Sequence, residues 1–546
     1  MIFADKVIKS NNIWTGNVDE TIYGGVAIKG NRIIYVGFQD LDKYIGPDTE
    51  VLDYKDKLVI PGIHDAHTHM LMTALMHSGK CPALYDTKSE EECVEIAKKY
   101  DKPENLIGGW LVGMGWYQLL FDNKTLPTKK SLDKAFPDTP VLLMDSNAHT
   151  AWVNSAAFRK LGFTDENTKG NTDFGRLDNG ELSGIFGEAS FMKMANKILT
   201  ADKKDTANLL NKTIKDMNSL GMTQLDDVAG SAVPDSDQVP DGSWKQLQDE
   251  GKLTIRVNMY PTLLDDFTRI NKMVEECGRC EKDSVLGVAG FKSFFDGVSS
   301  MHTAYLSKPY SDATEPNDVG HLTVNLEDMK RRALKATKAG YCIKIHAIGD
   351  GAVTKALDVF ESVENELGDK MPKNVQYSME HLENIEEKDI ERLRDLNVMA
   401  SVQPAHALID PKGEEADLGQ HRIKMMWPFR HYLARGIKMA FGTDSPVVDY
   451  NPYQNMYNAV TRKAITGGEA WEPQNSINIQ EALRAYTSGA AACAHRQAEV
   501  GTLEVGKLAD IAVLDRNILE IAPEDMLDTK ALITMVNGKV VYEEGK

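Results

Sequence analysis

At 546 residues the chain is too long for one core of ordinary size, and 42% hydrophobic with 26% charged residues is the composition of a folded globular protein rather than a disordered or fibrous one. A formal net charge of −19 sets the average surface against nucleic acid and anionic membranes. No uncharged apolar stretch reaches the length of about eighteen residues that a spanning helix needs, and the opening MIFADKVIKSNNIWTG lacks the pattern of a secretory signal, so a cytoplasmic protein with neither nucleic-acid nor membrane partners is expected.

In chain order, residues 1–58 read as short strands with turns, and GGVAIKGNRIIYVG places a Gly-Asn turn between two β-rich runs. The C-terminus returns to that pattern in ADIAVLD and in ALITMVNGKVVYEEG, where Asn537-Gly538 is a second hairpin signal. Each end is too short for its own core, so residues 1–58 and 500–546 are predicted to build one small β-sandwich domain. Between them, over 59–499, apolar runs alternate with amphipathic helical stretches, the pattern of parallel strands joined by crossover helices. The predicted fold class is α/β, a (β/α)8 TIM barrel. Its strands are placed at LVIPGIHDA, MTQLDDV, LTIRVNMY, AGFKSFF, YCIKIHA, VQYSMEH, VMASVQP and KMAFGTD. The gap after barrel strand one is too long for a structureless connection, so residues 71–205 are predicted to form an inserted lobe roofing the C-terminal ends of the strands.

Chemistry concentrates at those strand ends. In PGIHDAHTHM, His67 and His69 lie two apart on a strand and face one side, where two imidazoles can share a metal. His346 in IKIHAIGD, His381 in SMEHLEN and Asp444 in AFGTDSP each end a separate strand and project toward the same mouth. Singly, His346 and His381 read more readily as hydrogen-bonded structural histidines, and Asp444 as the cap of a TDSP turn. Four histidines and an aspartate together at one mouth read as a metal centre. The lone CxxC of Cys277 and Cys280 has no second pair or nearby histidines and reads as reduced structural thiols.

The motifs PGIHDAHTHM, MDSNAHTAWVNSAAF, FKSFFDG with HTAYLSKPYSD, KIHAIGD, MEHLENI, MASVQPAH, MAFGTDSPV with NPY, and VGTLEVGKLADIAVLD run nearly the whole chain. In combination they resemble the amidohydrolase superfamily, and within it the metal-dependent branch that includes N-substituted formamide deformylases. The resemblance implies two divalent metal ions, zinc first among candidates that include manganese, iron, nickel and cobalt. His67, His69 and Asp444 would hold one ion, and His346 and His381 the other. Lys292 would be converted by carbon dioxide to a carbamate bridging both. The plain alternative is a salt-bridged lysine, and Asp296 is the rival bridge unless it orders its loop through backbone hydrogen bonds. Asp444 would move the proton between metal-activated hydroxide and the leaving amine.

His149 in DSNAHTAWVNS matches a family histidine near the active site, a position from which it could donate to a carbonyl or developing oxyanion. His406 in SVQPAH is a substrate-contact candidate or a loop histidine fixing its own backbone, and Trp116 and Tyr117 in GWYQ shape the pocket or fill the lobe's core. His302, a further substrate-contact candidate, stands where this branch commonly carries arginine before Thr-Ala, which weakens any transfer of substrate identity. The implied reaction is hydrolysis of the C–N bond of a small-molecule amide of N-acyl or N-formyl type by a homo-oligomer, a dimer in the first instance. The alternatives are a cyclic-amide hydrolase, a deaminase of the same superfamily, or a non-catalytic scaffold.

Overall fold

Both turn signals are hairpins. Strands Ile22–Lys29 and Arg32–Gly37 pair antiparallel with Lys29 opposite Arg32, and Ala531–Val536 pairs with Lys539–Glu543 with Val536 opposite Lys539. Asn537 and Gly538 both have positive φ (54° and 74°), which a two-residue turn of this hand demands and which asparagine and glycine tolerate best. The computed structural model describes residues 2–546 apart from 147, 200–202, 231–238 and 241.

Strands from the two ends of the chain share one eight-stranded sheet. Leu58–Pro61 is its joint, pairing antiparallel with Ile511–Leu514 on one side and parallel with Lys6–Ile13 on the other. Ile8, Val26, Val59, Ile511, Val513 and Ile533 form its buried face. Arg256, from a strand outside this sheet, reaches into it: Nε and Nη2 donate to the two carboxylate oxygens of Asp510 at 3.0 and 3.1 Å, with both side chains buried. That fork ties the terminal sheet to the parallel strands.

The predicted first barrel strand, LVIPGIHDA, is two strands. Leu58–Pro61 belongs to the terminal sheet, whereas Ile63–Thr68 pairs in parallel with Met222–Val228. The chain changes sheets at Gly62, where a Cβ would lie 2.0 Å from Thr223 Oγ1, so only glycine allows the close approach. An unbroken apolar run conceals this switch. The fourth predicted strand likewise follows a separate short strand, Leu286–Val288.

Parallel strands form two sheets. One orders Leu286–Val288, Arg256–Tyr260, Met222–Val228 and Ile63–Thr68, and the other orders Gly290–Phe294, Cys342–Ala347, Tyr377–His381, Met399–Val402 and Met439–Phe441. Parallel bridges Thr262↔Lys292 and Thr68↔Ser445 link them at both seams. These strands are buried along their whole lengths, as parallel strands covered on both faces must be, with helices such as Leu326–Lys338 and Asp350–Leu367 as the crossovers.

Within 71–205 lies a separate five-stranded sheet, ordered Phe174–Arg176, Leu182–Gly187, Thr150–Val153, Val141–Asp145 and Leu111–Trp116. Trp116, Trp152, Phe121, Phe136 and Leu143 pack into a cluster of their own against it. Among the described residues no helix is long and apolar enough to cross a membrane.

Candidate metal centre

Strand ends bring the chemistry together. His67 lies near the end of Ile63–Thr68 and His69 just beyond it, Lys292 lies within Gly290–Phe294, His346 within Cys342–Ala347, His381 ends Tyr377–His381, and Asp444 follows Met439–Phe441. Backbone bonds from Asp444 N–H to His67 carbonyl (2.7 Å) and His69 N–H to Ser445 carbonyl (3.0 Å) clamp the first and last of these strand ends. Asp444 and His381 adopt left-handed φ of 56° and 70°, an uncommon conformation for such residues and one that recurs where a side chain must be aimed.

Asp444 is the hub. Its Oδ1 lies 3.0 Å from His69 Nε2 and 3.4 Å from His67 Nε2, and its Oδ2 lies 3.7 Å from His406 Nε2 and 3.9 Å from His381 Nδ1. Hydrogen bonds fix the tautomers. His67 Nδ1 donates to Glu380, His69 Nδ1 to the Val228 carbonyl at 3.1 Å, and His346 Nε2 to the Gly297 carbonyl at 3.1 Å. The opposite ring nitrogens of His67 and His346 therefore carry lone pairs. Lys292 Nζ donates to His67 Nε2 at 3.0 Å.

Burial pushes the His67 imidazolium down to about 4, with Lys292 adding repulsion, and holds His346 and His381 well below the usual histidine range. All three are neutral at physiological pH, the state that ligates metal. Burial lowers the Lys292 ammonium to about 8 against the pull of Glu380 and Asp444. Burial alone would raise the Asp444 carboxyl, but the surrounding histidines hold it well below the usual range.

Two groups satisfy metal-ligand proximity here: His67 with His69 and Asp444, and His381 with His406 and Asp444. The second contains His406, a substrate-contact candidate by sequence, in place of His346, whose ring centroid lies 4.4 Å from that of His381. Buried Nδ1 atoms of His346 and His381 and Nε2 of His406 have no hydrogen-bond partner among the described residues. Such orphaned acceptors, beside a carboxylate with several imidazoles around it, fit divalent ions.

Asp296 is not placed as a bridge. Its carboxylate accepts from the backbone N–H groups of Ile348 (3.0 Å), Gly349 (2.9 Å) and Tyr305 (2.9 Å), which order the loop, and burial raises it to about 7.

Above the centre lies a cavity to which His149, Tyr117, His406, His346, His381 and Asp444 all contribute. Trp116 and His302 do not line it. Trp116 is wholly buried in the lobe's own core, its Nε1 donating to the Leu143 carbonyl, because alternation along the strand turns it to the opposite face from its neighbour Tyr117. His302 stacks on Tyr310 with centroids 4.1 Å apart and is held by Asp318 and Asp312, so its ring is engaged in tying a loop together.

Residues 50–542 match the model of the amidohydrolase family. The chain belongs to the amidohydrolase family. It is 28% identical to Protein LONG AFTER FAR-RED 3 of Arabidopsis thaliana, over 99% of this chain and 92% of that one. It is 26% identical to the N-substituted formamide deformylase of Arthrobacter pascens, over 99% of this chain and 98% of the relative. A solved structure, an uncharacterized metal-dependent hydrolase from Pyrococcus horikoshii, superimposes with a TM-score of 0.75 at 27% identity, covering 95% of this chain and 99% of that one. The resemblance drawn from the motifs is thus to the right family, and the chain is a hydrolase of that superfamily.

Sequence reasoning about this amidohydrolase passed over Glu380. It stands beside His381, whose left-handed φ of 70° breaks strand alternation, so both side chains reach His67: the His381 ring lies 4.9 Å from that of His67, while Glu380 accepts from His67 Nδ1 and from Ser401 Oγ at 2.7 Å and faces Lys344 Nζ at 3.4 Å. Burial would raise its carboxyl, but Lys344 and His67 hold it well below the usual range. An acid next to a candidate ligand was the available signal. Glu383 and Glu414, both in the cavity wall, carry no local signature at all.

Proposed function

We propose that this amidohydrolase is a binuclear metal-dependent enzyme that cleaves the C–N bond of an N-acyl or N-formyl amide. The observation that carries the proposal is the meeting of imidazoles from separate parallel strands around one carboxylate, Asp444, and one buried lysine of depressed basicity, Lys292. His67, His69 and Asp444 would hold one ion, and His381 with His346 and His406 the other. The two parallel sheets close into a (β/α)8 barrel, and the terminal sheet and the 71–205 lobe are its satellites. A cytoplasmic homodimer is part of the same proposal.

Divalent ions held here, zinc in the first instance, supply Lewis acidity that makes a water reactive near neutral pH and polarises the substrate carbonyl. With an ammonium near 8, Lys292 has an appreciable neutral amine fraction at physiological pH. That amine could add to carbon dioxide through a new N–C bond with release of one proton, giving a carbamate whose oxygens would serve as metal ligands where an ammonium cannot. Asp444 takes the proton from the attacking water and returns it to the departing nitrogen as the C–N bond breaks. His149, in the cavity wall, donates to the acyl oxygen as charge develops on it. Glu380 holds His67 in the tautomer that presents Nε2.

The test is release of acid and amine from a panel of N-formyl amines, N-acyl amines, cyclic imides and aminopurines by metal-loaded protein. Turnover of the first two classes is expected. Ammonia from aminopurines with no amide turnover would make the enzyme a deaminase, and ring opening alone would make it a cyclic-amide hydrolase.

A further inference from the structure

The cavity over the metal centre has an uneven charge. Its lining combines Leu71, Met72, Phe191 and Ile409 with the carboxylates of Glu383, Asp410 and Glu414, and the described lining residues include no lysine or arginine. Asp410 and Glu414 stand four residues apart at the start of the helix Pro411–Arg422, which places them on one face. Asp410 caps this helix through Oδ1, which accepts from Gly413 N–H at 3.0 Å, while its Oδ2 accepts from the Tyr117 hydroxyl at 3.4 Å. Glu414 has less. Its Oε2 is shut off from solvent and accepts no hydrogen bond from the described residues.

Left to itself this wall is costly. A carboxylate oxygen shut off from solvent without a donor disfavours the charged form, and burial together with Glu383, Asp417 and Asp410 keeps the Glu414 carboxyl far above the usual carboxylate range. A second group is unsatisfied from the opposite sense. Trp427 is 1% exposed and lines the same cavity, yet its Nε1–H has no acceptor among the described residues. One ligand answers both if it carries a cationic group and an oxygen acceptor. The Trp427 and Tyr117 rings add faces on which an organic cation rests favourably.

We propose that the substrate bears a positively charged group, an ammonium or guanidinium, joined through a short apolar spacer to the amide, and that Asp410 and Glu414 receive that group. The proposal rests on the hydrolytic reading above and names its substrate class. The acyl group faces the strand-end histidines and the cation faces the helix Pro411–Arg422, so the ligand is oriented by charge at both ends. Substrates carrying a free carboxylate at the cation's position are rejected, because they meet Asp410 and Glu414 without a compensating cation.

The test is equilibrium binding, which needs no turnover. Metal-loaded protein is titrated, following tryptophan fluorescence, with 2-phenylethyl(trimethyl)ammonium, which has no lone pair to offer a metal, and with its neutral carbon isostere (3,3-dimethylbutyl)benzene. The cation is expected to bind at least about tenfold more tightly. Asp410→Asn, which preserves the helix cap, and Glu414→Gln should each shrink the cation-to-isostere ratio at least about fivefold, with unchanged melting temperature as the check on folding. Equal affinity for the two probes, no saturable binding of the cation, or a ratio untouched in both variants overturns the proposal. If the ratio holds while no amide in the panel is cut, the bond-class reading fails and the charge reading stands. A ratio of one with amide turnover intact has the reverse meaning.

Discussion

Replacing Glu380 by glutamine removes one negative charge from beneath the metal centre at nearly constant volume. The wild-type carboxylate accepts from His67 Nδ1 and from the Ser401 and Ser378 hydroxyls, and lies 3.4 Å from Lys344 Nζ. Glutamine has one acceptor oxygen and an NH2, so at least one of these donors then faces another donor. Lys344 keeps Asp226 at 3.2 Å and the Ala66 carbonyl at 3.1 Å, which limits the damage to the fold. A lost hydrogen bond to a charged group is worth about 1.5–3 kcal/mol, and loss of a carboxylate partner to a ligating histidine typically costs about 10- to 100-fold in metal affinity, or about 1.4–2.8 kcal/mol. Glu380→Gln is therefore expected to bind metal ten- to a hundredfold more weakly, while Glu380→Asp, which restores charge at shorter reach, recovers part of the loss. The assay is competition with a chelator of known affinity, on protein whose secondary structure is unchanged. Metal affinity of Glu380→Gln within twofold of wild type would refute the assignment of Glu380 as the group that sets the His67 tautomer.

Lys292→Ala should lose metal and activity by more than about tenfold, with partial recovery on adding acetate or propionate, whereas Asp296→Asn should retain the metals because Asp296 is spent on backbone N–H groups; elemental analysis of the purified variants decides. A chain ending at Leu508 lacks the Ile511–Leu514 strand beside Leu58–Pro61 and leaves Arg256 buried without Asp510, so its melting temperature should fall by more than about 5 °C, read by calorimetry, since removing one partner of a buried pair costs about 3–5 kcal/mol. Metal-free protein should lose stability as pH falls from about 6.5 toward about 4, because His67 is protonated in the unfolded chain and neutral in the folded one over that range, so unfolding takes up a proton; a pH series of melting temperatures measures it, and a wild-type profile flat between those values would contradict the neutral, buried His67.

What is local was legible in the sequence. His67 and His69 share a side because strand side chains alternate, and Asn537-Gly538 turns because both residues tolerate positive φ. The alternation of apolar runs with amphipathic helices prescribed parallel strands, and the ends of those runs located His346, His381 and Asp444, whereas Lys292 was singled out only by the family resemblance. What depends on register and on crossings between distant segments was decided only in three dimensions. Glu380 meets His67 across 313 positions of chain, and His406 joins His381 and Asp444 through a loop of no regular period. Gly62 divides one apolar run between two sheets because Thr223 stands against it, and Trp116 turns into a core that nothing in GWYQ distinguishes from a pocket. The helix that brings Asp410 and Glu414 over the cavity looks from its sequence like any solvated acidic helix, since the cost of burying a carboxylate depends on what surrounds it and the residues nearby in sequence do not reveal that.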